Sequence, residues 1–236
     1  MGRIKSSVSK IDIPAVKSES AKPRPYLSPF TNELGLFYQQ KDLLKAKSIL
    51  KYFLNKQLIS YYNFNSSNYC KGFDFEISHH FKLNKRHCHI EKKYSKNLKR
   101  NLQKAESYNL TLSKSKDIDT LIDLFKINVA DKIGTITTSQ YHTLKNIYVE
   151  GTKKNAIELF AVSENSNVLS MALFLKSKEK LIYYFAATSE EGKKKSASAF
   201  LIDNIFKKYS NTNATFDFEG GNTPGLSRFY KSFGSY

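Results

Sequence analysis

Apolar positions in the second half of the chain recur with two periods. Ile118, Leu121, Ile122, Phe125 and Val129 are three and four residues apart, which marks one face of a helix with Asp117 as its cap and Gly134 at its end. Residues 138–149 carry a second helix. Residues 156–162, 168–176 and 181–188 are short apolar runs. The connectors between them, 164–167 and 177–180, have hairpin length and turn composition, so three antiparallel strands in series are expected. Leu201, Ile202, Ile205 and Tyr209 line one side of a helix over 196–209, and a strand over 215–219 and a short helix follow. With a strand over 109–113 in front, the order is strand, helix, helix, three strands, helix, strand, helix. That is an α+β layout in which three hairpin strands feed a helical crossover.

The first half is less regular. Asp42 caps a helix over 42–55 with Leu43, Ala46, Leu50, Phe53 and Leu54 on one stripe. Residues 58–64 read as a strand, and 73–77 and 87–90 as weaker ones. Residues 92–107 form a helix with Tyr94, Leu98, Leu102 and Ala105 on one side and Lys92, Lys96, Lys99, Arg100 and Lys104 around the rest. Residues 1–25 are polar and read as an extension, with a brief edge strand at 11–13.

Composition narrows the function. With 236 residues, 40% of them hydrophobic, the chain can bury a sizeable core. No apolar run reaches the ~18 residues of a membrane span, and the N-terminus lacks a signal-peptide pattern; a soluble, cytoplasmic protein is expected. The net charge of +17 favours anionic partners: nucleic acid, a nucleotide cofactor or a phosphorylated substrate. The same excess also follows from a Lys-, Asn- and Ile-rich composition with no functional meaning. Cys70 and Cys88 are too few for a disulfide framework or a cysteine-built zinc site. His79-His80 and His87-Cys88-His89 have no partner ligands at matching spacing, so no metal is expected. No phosphate-binding Walker loop, dinucleotide fingerprint or serine nucleophile elbow is present.

The last residues, ATFDFEGGNTPGLSRFYKSFGSY, carry the chemistry. Strand alternation over 215–219 places Asp217 and Glu219 on one face, opposite Phe216 and Phe218. Either carboxylate is a candidate general base. Gly220 and Gly221 permit a sharp turn or a close approach. The spacing of Asn222, Tyr230 and Gly234 resembles the end of a GNAT-fold acyltransferase domain. With Asp-Phe-Glu-Gly ahead of it, the stretch is similar to the Fem-type (FemABX-like) branch of that superfamily. Pro-Phe-Thr-Asn-Glu-Leu-Gly-Leu-Phe at 29–37 and Ser-Lys-Asn-Leu-Lys-Arg-Asn-Leu at 95–102 also resemble that branch, the second being similar to the basic helix that joins its two GNAT-like halves.

The resemblance implies a mixed, mostly antiparallel sheet flanked by helices, preceded by an incomplete second GNAT-like half. The divisions would be an extension over 1–25, a partial first half over 26–91, a basic connecting helix over 92–107 and an acyltransferase domain over 108–236. Two departures stand out: only about 65 residues lie between Pro25 and the basic helix, and the chain reaches Tyr236 before the last strand of its relatives.

The implied activity is direct transfer of an acyl or aminoacyl group from acyl-CoA or aminoacyl-tRNA to an amine. The donor's pyrophosphate would sit on the helix that follows the third hairpin strand. The segment in question is Lys193, Lys194, Lys195, Ser196, Ala197 and Ser198, where Ser196 and Ser198 replace the usual small Gly-like residues. Tyr230 would be the general acid. Asn222, Arg228, Lys231 and Arg100 are substrate-binding candidates. Two other functions compete: a basic nucleic-acid-binding module that uses the 96–104 face, and a catalytically dead GNAT-like interaction domain.

Overall fold

In the computed structural model, residues 15–18, 21–25, 48, 79–130, 136–221 and 223–236 are described. The chain divides into two compact units, Met1–Phe75 and Glu76–Tyr236. In the first, strands β1 (Ala15–Ser18) and β2 (Ala21–Pro25) pair antiparallel, within the stretch expected to be a polar extension. The expected helix over 42–55 and strands over 11–13, 58–64 and 73–77 lie outside the described residues, apart from Ser48.

The second unit is built on a six-stranded sheet. Its strands are β3 (His80–Lys82), β4 (Thr111–Lys114), β5 (Ile157–Glu164), β6 (Asn167–Lys176), β7 (Lys180–Thr188) and β8 (Thr215–Asp217), in the spatial order β3-β8-β7-β6-β5-β4. All neighbours are antiparallel except β7 and β8, which are parallel. Asn165 takes left-handed φ in the β5–β6 turn, and Ser177 N–H donates to Lys180 O at 2.8 Å in the next.

The continuous apolar runs of β5 and β6 have a physical reason: both faces of the sheet are covered. Phe160, Val162, Ala172 and Phe174 join one core with helices α2 (Lys96–Glu106) and α6 (Ala197–Tyr209). The alternating residues Leu159, Ala161, Met171 and Leu173 are buried outside that cluster. Helices α3 (Ile118–Asn128) and α4 (Thr138–Lys153) pack against the sheet, with Phe125 stacked on Phe185 at 4.3 Å. The Asp117 cap was legible in the sequence: its Oδ1 accepts from Thr120 N–H at 3.0 Å. The capping box that Thr137 closes with Gln140 was not read there.

Two local expectations are corrected. Residues 87–90 form a helical turn, α1 (His87–Ile90), because the strand alternation assumed for His87 and His89 has no neighbouring strand to pair with among the described residues. The basic helix starts at Lys96, since Ser95 takes extended φ/ψ and caps it by accepting from Leu98 N–H at 3.1 Å. The sheet also takes in β3, from ahead of the basic helix: His80, Phe81 and Lys82 pair with Asp217, Phe216 and Thr215. Among the described residues no helix is long and apolar enough to cross a membrane.

After β7 the chain forms a short helix, α5 (Glu190–Lys194), then α6, β8 and α7 (Pro224–Ser232). An aromatic cluster joins these elements. Phe206 of α6 stacks on Phe81 at 5.0 Å and meets Phe216 edge-on at 4.9 Å, and Phe218 stacks on Tyr230 of α7 at 4.4 Å.

Candidate functional site

The parallel strands β7 and β8 share only three register positions, Lys180–Thr215, Leu181–Phe216 and Ile182–Asp217. Beyond them β7 runs on to Thr188 while β8 ends, so the pair opens toward the C-terminal end of β7. A bulge falls at the opening. Leu173 and Phe174 of β6 face Phe185 and Tyr183, which leaves Tyr184 as the extra residue on β7.

On the other side of the opening, Glu219, Gly220 and Gly221 follow one another with φ of 47°, 68° and 100°. Left-handed φ ends the strand at Asp217, so Asp217 and Glu219 are not placed on one face by strand alternation, as the sequence pattern suggested. Asp217 is buried. Its Oδ1 accepts from Glu219 N–H at 2.9 Å, and Oδ2 lies 3.4 Å from His80 Nδ1 and 3.5 Å from Lys180 Nζ. Glu219 is half-buried, and its charge acts on two phenols. Burial first and Glu219 second raise Tyr184 above the ordinary tyrosine value. The same two causes push Tyr230 up to about 12.

Tyr230 is buried on α7, between Phe218 and the edge of His79, 5.9 Å away. Gly221 explains how the turn fits there: a Cβ would meet His79 Cδ2 at 2.7 Å and Tyr230 Cδ2 at 2.9 Å. His79 is itself fixed, with Ser227 Oγ 3.1 Å from Nε2 and Ser235 Oγ 3.3 Å from Nδ1. Burial, then Lys231 and His80, hold its pKa below the usual histidine value.

The candidate donor segment lies past the end of β7. Gly192 packs against the Leu169 carbonyl, where a Cβ would come within 2.3 Å. Ser196 precedes α6 with φ 58° and ψ 31°, a left-handed conformation usually taken by glycine, and makes no side-chain cap bond. The first-turn N–H groups of Ala197 and Ser198 therefore get no cap from Ser196. The lysines here are largely neutralised. Lys193 pairs with Glu190, and Lys195 pairs with Glu164 and also with Glu191 at 2.6 Å; Lys194 is exposed.

The remaining candidates are less concentrated. Arg228 and Lys231 are exposed on α7, and Asn222 lies outside the described residues. Arg100 is exposed on α2, with Nη2 donating to Asn97 Oδ1 at 3.3 Å. Sequence reasoning missed Tyr184 and His79. The Tyr-Tyr-Phe string gives no sign of a bulge, and His79 stands next to a three-residue strand too short for a period. Among the described residues one potential metal-ligand trio occurs, His87, Glu91 and Asp203. Its atoms bond to one another, His87 Nε2 to Asp203 at 2.7 Å and Nδ1 to Glu91 at 2.9 Å, and Asp203 also accepts from Tyr94 at 2.9 Å and meets Lys207 at 3.2 Å. The trio ties α1 to α6.

Residues 92–232 match the acetyltransferase (GNAT) domain family. The chain is similar in fold to the crystal structure of FemX, at 17% identity and a TM-score of 0.56, covering 67% of this chain and 58% of FemX. It is also similar to a conserved protein of unknown function from Bacteroides thetaiotaomicron VPI-5482, at 8% identity and a TM-score of 0.51, covering 68% of this chain and 57% of the other. The chain thus spans less than two thirds of the length of each. Among curated proteins, none matches.

Proposed function

The chain belongs to the acetyltransferase (GNAT) domain family, and from that premise we propose that it transfers an acyl or aminoacyl group from acyl-CoA or aminoacyl-tRNA to an amine. The observation that carries the reading is the parting of β7 and β8 after Ile182 and Asp217, with Glu219, Tyr184 and Tyr230 gathered around the opening. An amine entering there attacks the donor carbonyl directly. A C–N bond forms, the carbonyl oxygen takes the negative charge, and collapse expels the thiolate or the ribose oxygen. Backbone N–H groups in the distal half of β7 hold the oxyanion. The first turn of α6, behind Ser196, receives the donor's phosphates.

Glu219 takes the proton from the amine. It is half-buried beside the opening, whereas Asp217 is buried under His80, Lys180 and the Glu219 N–H. Asp217 therefore acts as a positioning residue, holding the strained backbone of Glu219. Tyr230 returns a proton to the leaving group. Burial and Glu219 push its pKa up to about 12, so it is protonated at neutral pH but a weak acid, better matched to a ribose alkoxide than to a thiolate. Arg228, Lys231 and Arg100 are exposed cations available to an anionic substrate.

The test is turnover with acetyl-CoA and with aminoacyl-tRNA against a panel of amines. Glu219→Gln should keep the fold and donor affinity and lose about 10²–10⁴-fold in turnover. Tyr230→Phe should cost more with the tRNA ester than with the thioester, because a ribose oxygen leaves less readily than a thiolate. Full activity in Glu219→Gln would remove Glu219 from the mechanism.

A further inference from the structure

A cavity of about 380 Å³ lies at the outer edge of the sheet, lined by Phe81, Lys82, Lys85, His89, Lys93 and Tyr236, with Asn84 and Ile90 completing it. No carboxylate side chain lines it, and Lys82, Lys85 and Lys93 form no ion pair among the described residues. Other described lysines lack an ion pair too, Lys96, Lys99 and Lys104 among them; what distinguishes these three is that they line one cavity. Three ammonium groups around one cavity repel one another, and a multiply charged anion that enters relieves that repulsion.

The walls are held in place. The β3 backbone is paired with β8 on one side. On the other, Tyr236 exchanges two hydrogen bonds of 3.1 Å with His80. The Lys85 carbonyl accepts from Asn211 N–H at 3.0 Å, which ties the rim to the end of α6. The floor is apolar and aromatic: Phe81 and Ile90 are buried, and Lys93 Nζ sits 5.1 Å above the Phe81 ring. Tyr236 on the rim is 63% exposed, and its aromatic ring offers a surface for a planar group to stack on.

This cavity is separate from the proposed donor site. Lys82 pairs with Thr215, which pairs with Lys180 at the start of β7, while the donor segment follows Thr188, about 26 Å farther along the strand.

We propose that the cavity binds a 5′-phosphorylated nucleoside. The phosphate meets the ammonium groups of Lys82, Lys85 and Lys93, and the base lies on Tyr236. The phosphate can belong to a free nucleotide or to the 5′ end of an RNA. Calorimetry on the full chain with AMP, adenosine, inorganic pyrophosphate and a 5′-phosphorylated RNA trinucleotide tests the site. AMP should bind and adenosine should bind at least tenfold more weakly. Lys82→Ala with Lys85→Ala should weaken AMP at least tenfold; both side chains are exposed and form no ion pair among the described residues. Tyr236→Ala should weaken AMP and leave pyrophosphate affinity unchanged.

A trinucleotide that binds more tightly than AMP identifies an RNA end as the source; equal or weaker binding identifies the free nucleotide. CoA titrated into the same lysine variant reports on the donor segment separately, so failure of one site does not mimic failure of the other. No binding of AMP or trinucleotide at millimolar concentration, or unchanged affinity in the lysine variant, overturns the proposal.

Discussion

Two non-glycine residues at the candidate site hold left-handed backbone, Ser196 at φ 58° and Glu219 at φ 47°. For an L-residue this conformation costs roughly 1–2 kcal/mol. Ser196→Gly should therefore raise the unfolding free energy by about 1 kcal/mol in urea denaturation, and Ser196→Val should lower it. Ser196→Glu should leave the fold intact and abolish donor binding, because a carboxylate would occupy the anion position of α6. Gly221 differs in kind. Its φ is 100°, and an added Cβ would strike both His79 and Tyr230. Gly221→Ala should cost about 2–3 kcal/mol, and it should reduce turnover beyond what stability explains because the Tyr230 ring must move. At this scale the sequence named Glu219, Tyr230 and Ser196 from a motif, but gave no sign of their backbone strain. A left-handed serine leaves no trace in composition or period.

At the scale of elements, legibility followed packing. The strands β5, β6 and β7 were readable because a sheet covered on both faces needs unbroken apolar runs, and α3 was readable from its apolar stripe and its Asp117 cap. The strand β3 was not, because a three-residue strand shows no alternation; β8 and Tyr236 hold it from either side. The same edge carries a pH-sensitive group. His79 is held neutral by burial, then by Lys231 and His80, so its pKa lies below that of the unfolded chain. As pH falls through about 6.5, the unfolded state takes up a proton that the folded state refuses. Stability should therefore decline from pH 7 toward pH 5 and be largely insensitive to this group above pH 7. A His79→Gln variant, followed by thermal unfolding across that range, should show a flatter profile.

For the whole molecule, the sheet, its two helical layers and the candidate site all lie within Glu76–Tyr236. A chain of those residues should unfold cooperatively on its own in calorimetry. Within that unit the donor segment and the edge cavity differ in charge balance: Lys193 and Lys195 are paired with carboxylates, whereas Lys82, Lys85 and Lys93 form no ion pair among the described residues. The central claim is that a donor carbonyl is delivered to the opening between β7 and β8 by phosphates seated on α6. Amide NMR shifts of the labelled chain, titrated with acetyl-CoA and separately with aminoacyl-tRNA, test it most directly. With one of the two donors, the largest perturbations should fall on Ala197, Ser198 and Ala199, on the distal half of β7 and on Glu219. Perturbations confined to other residues with both donors would contradict the account.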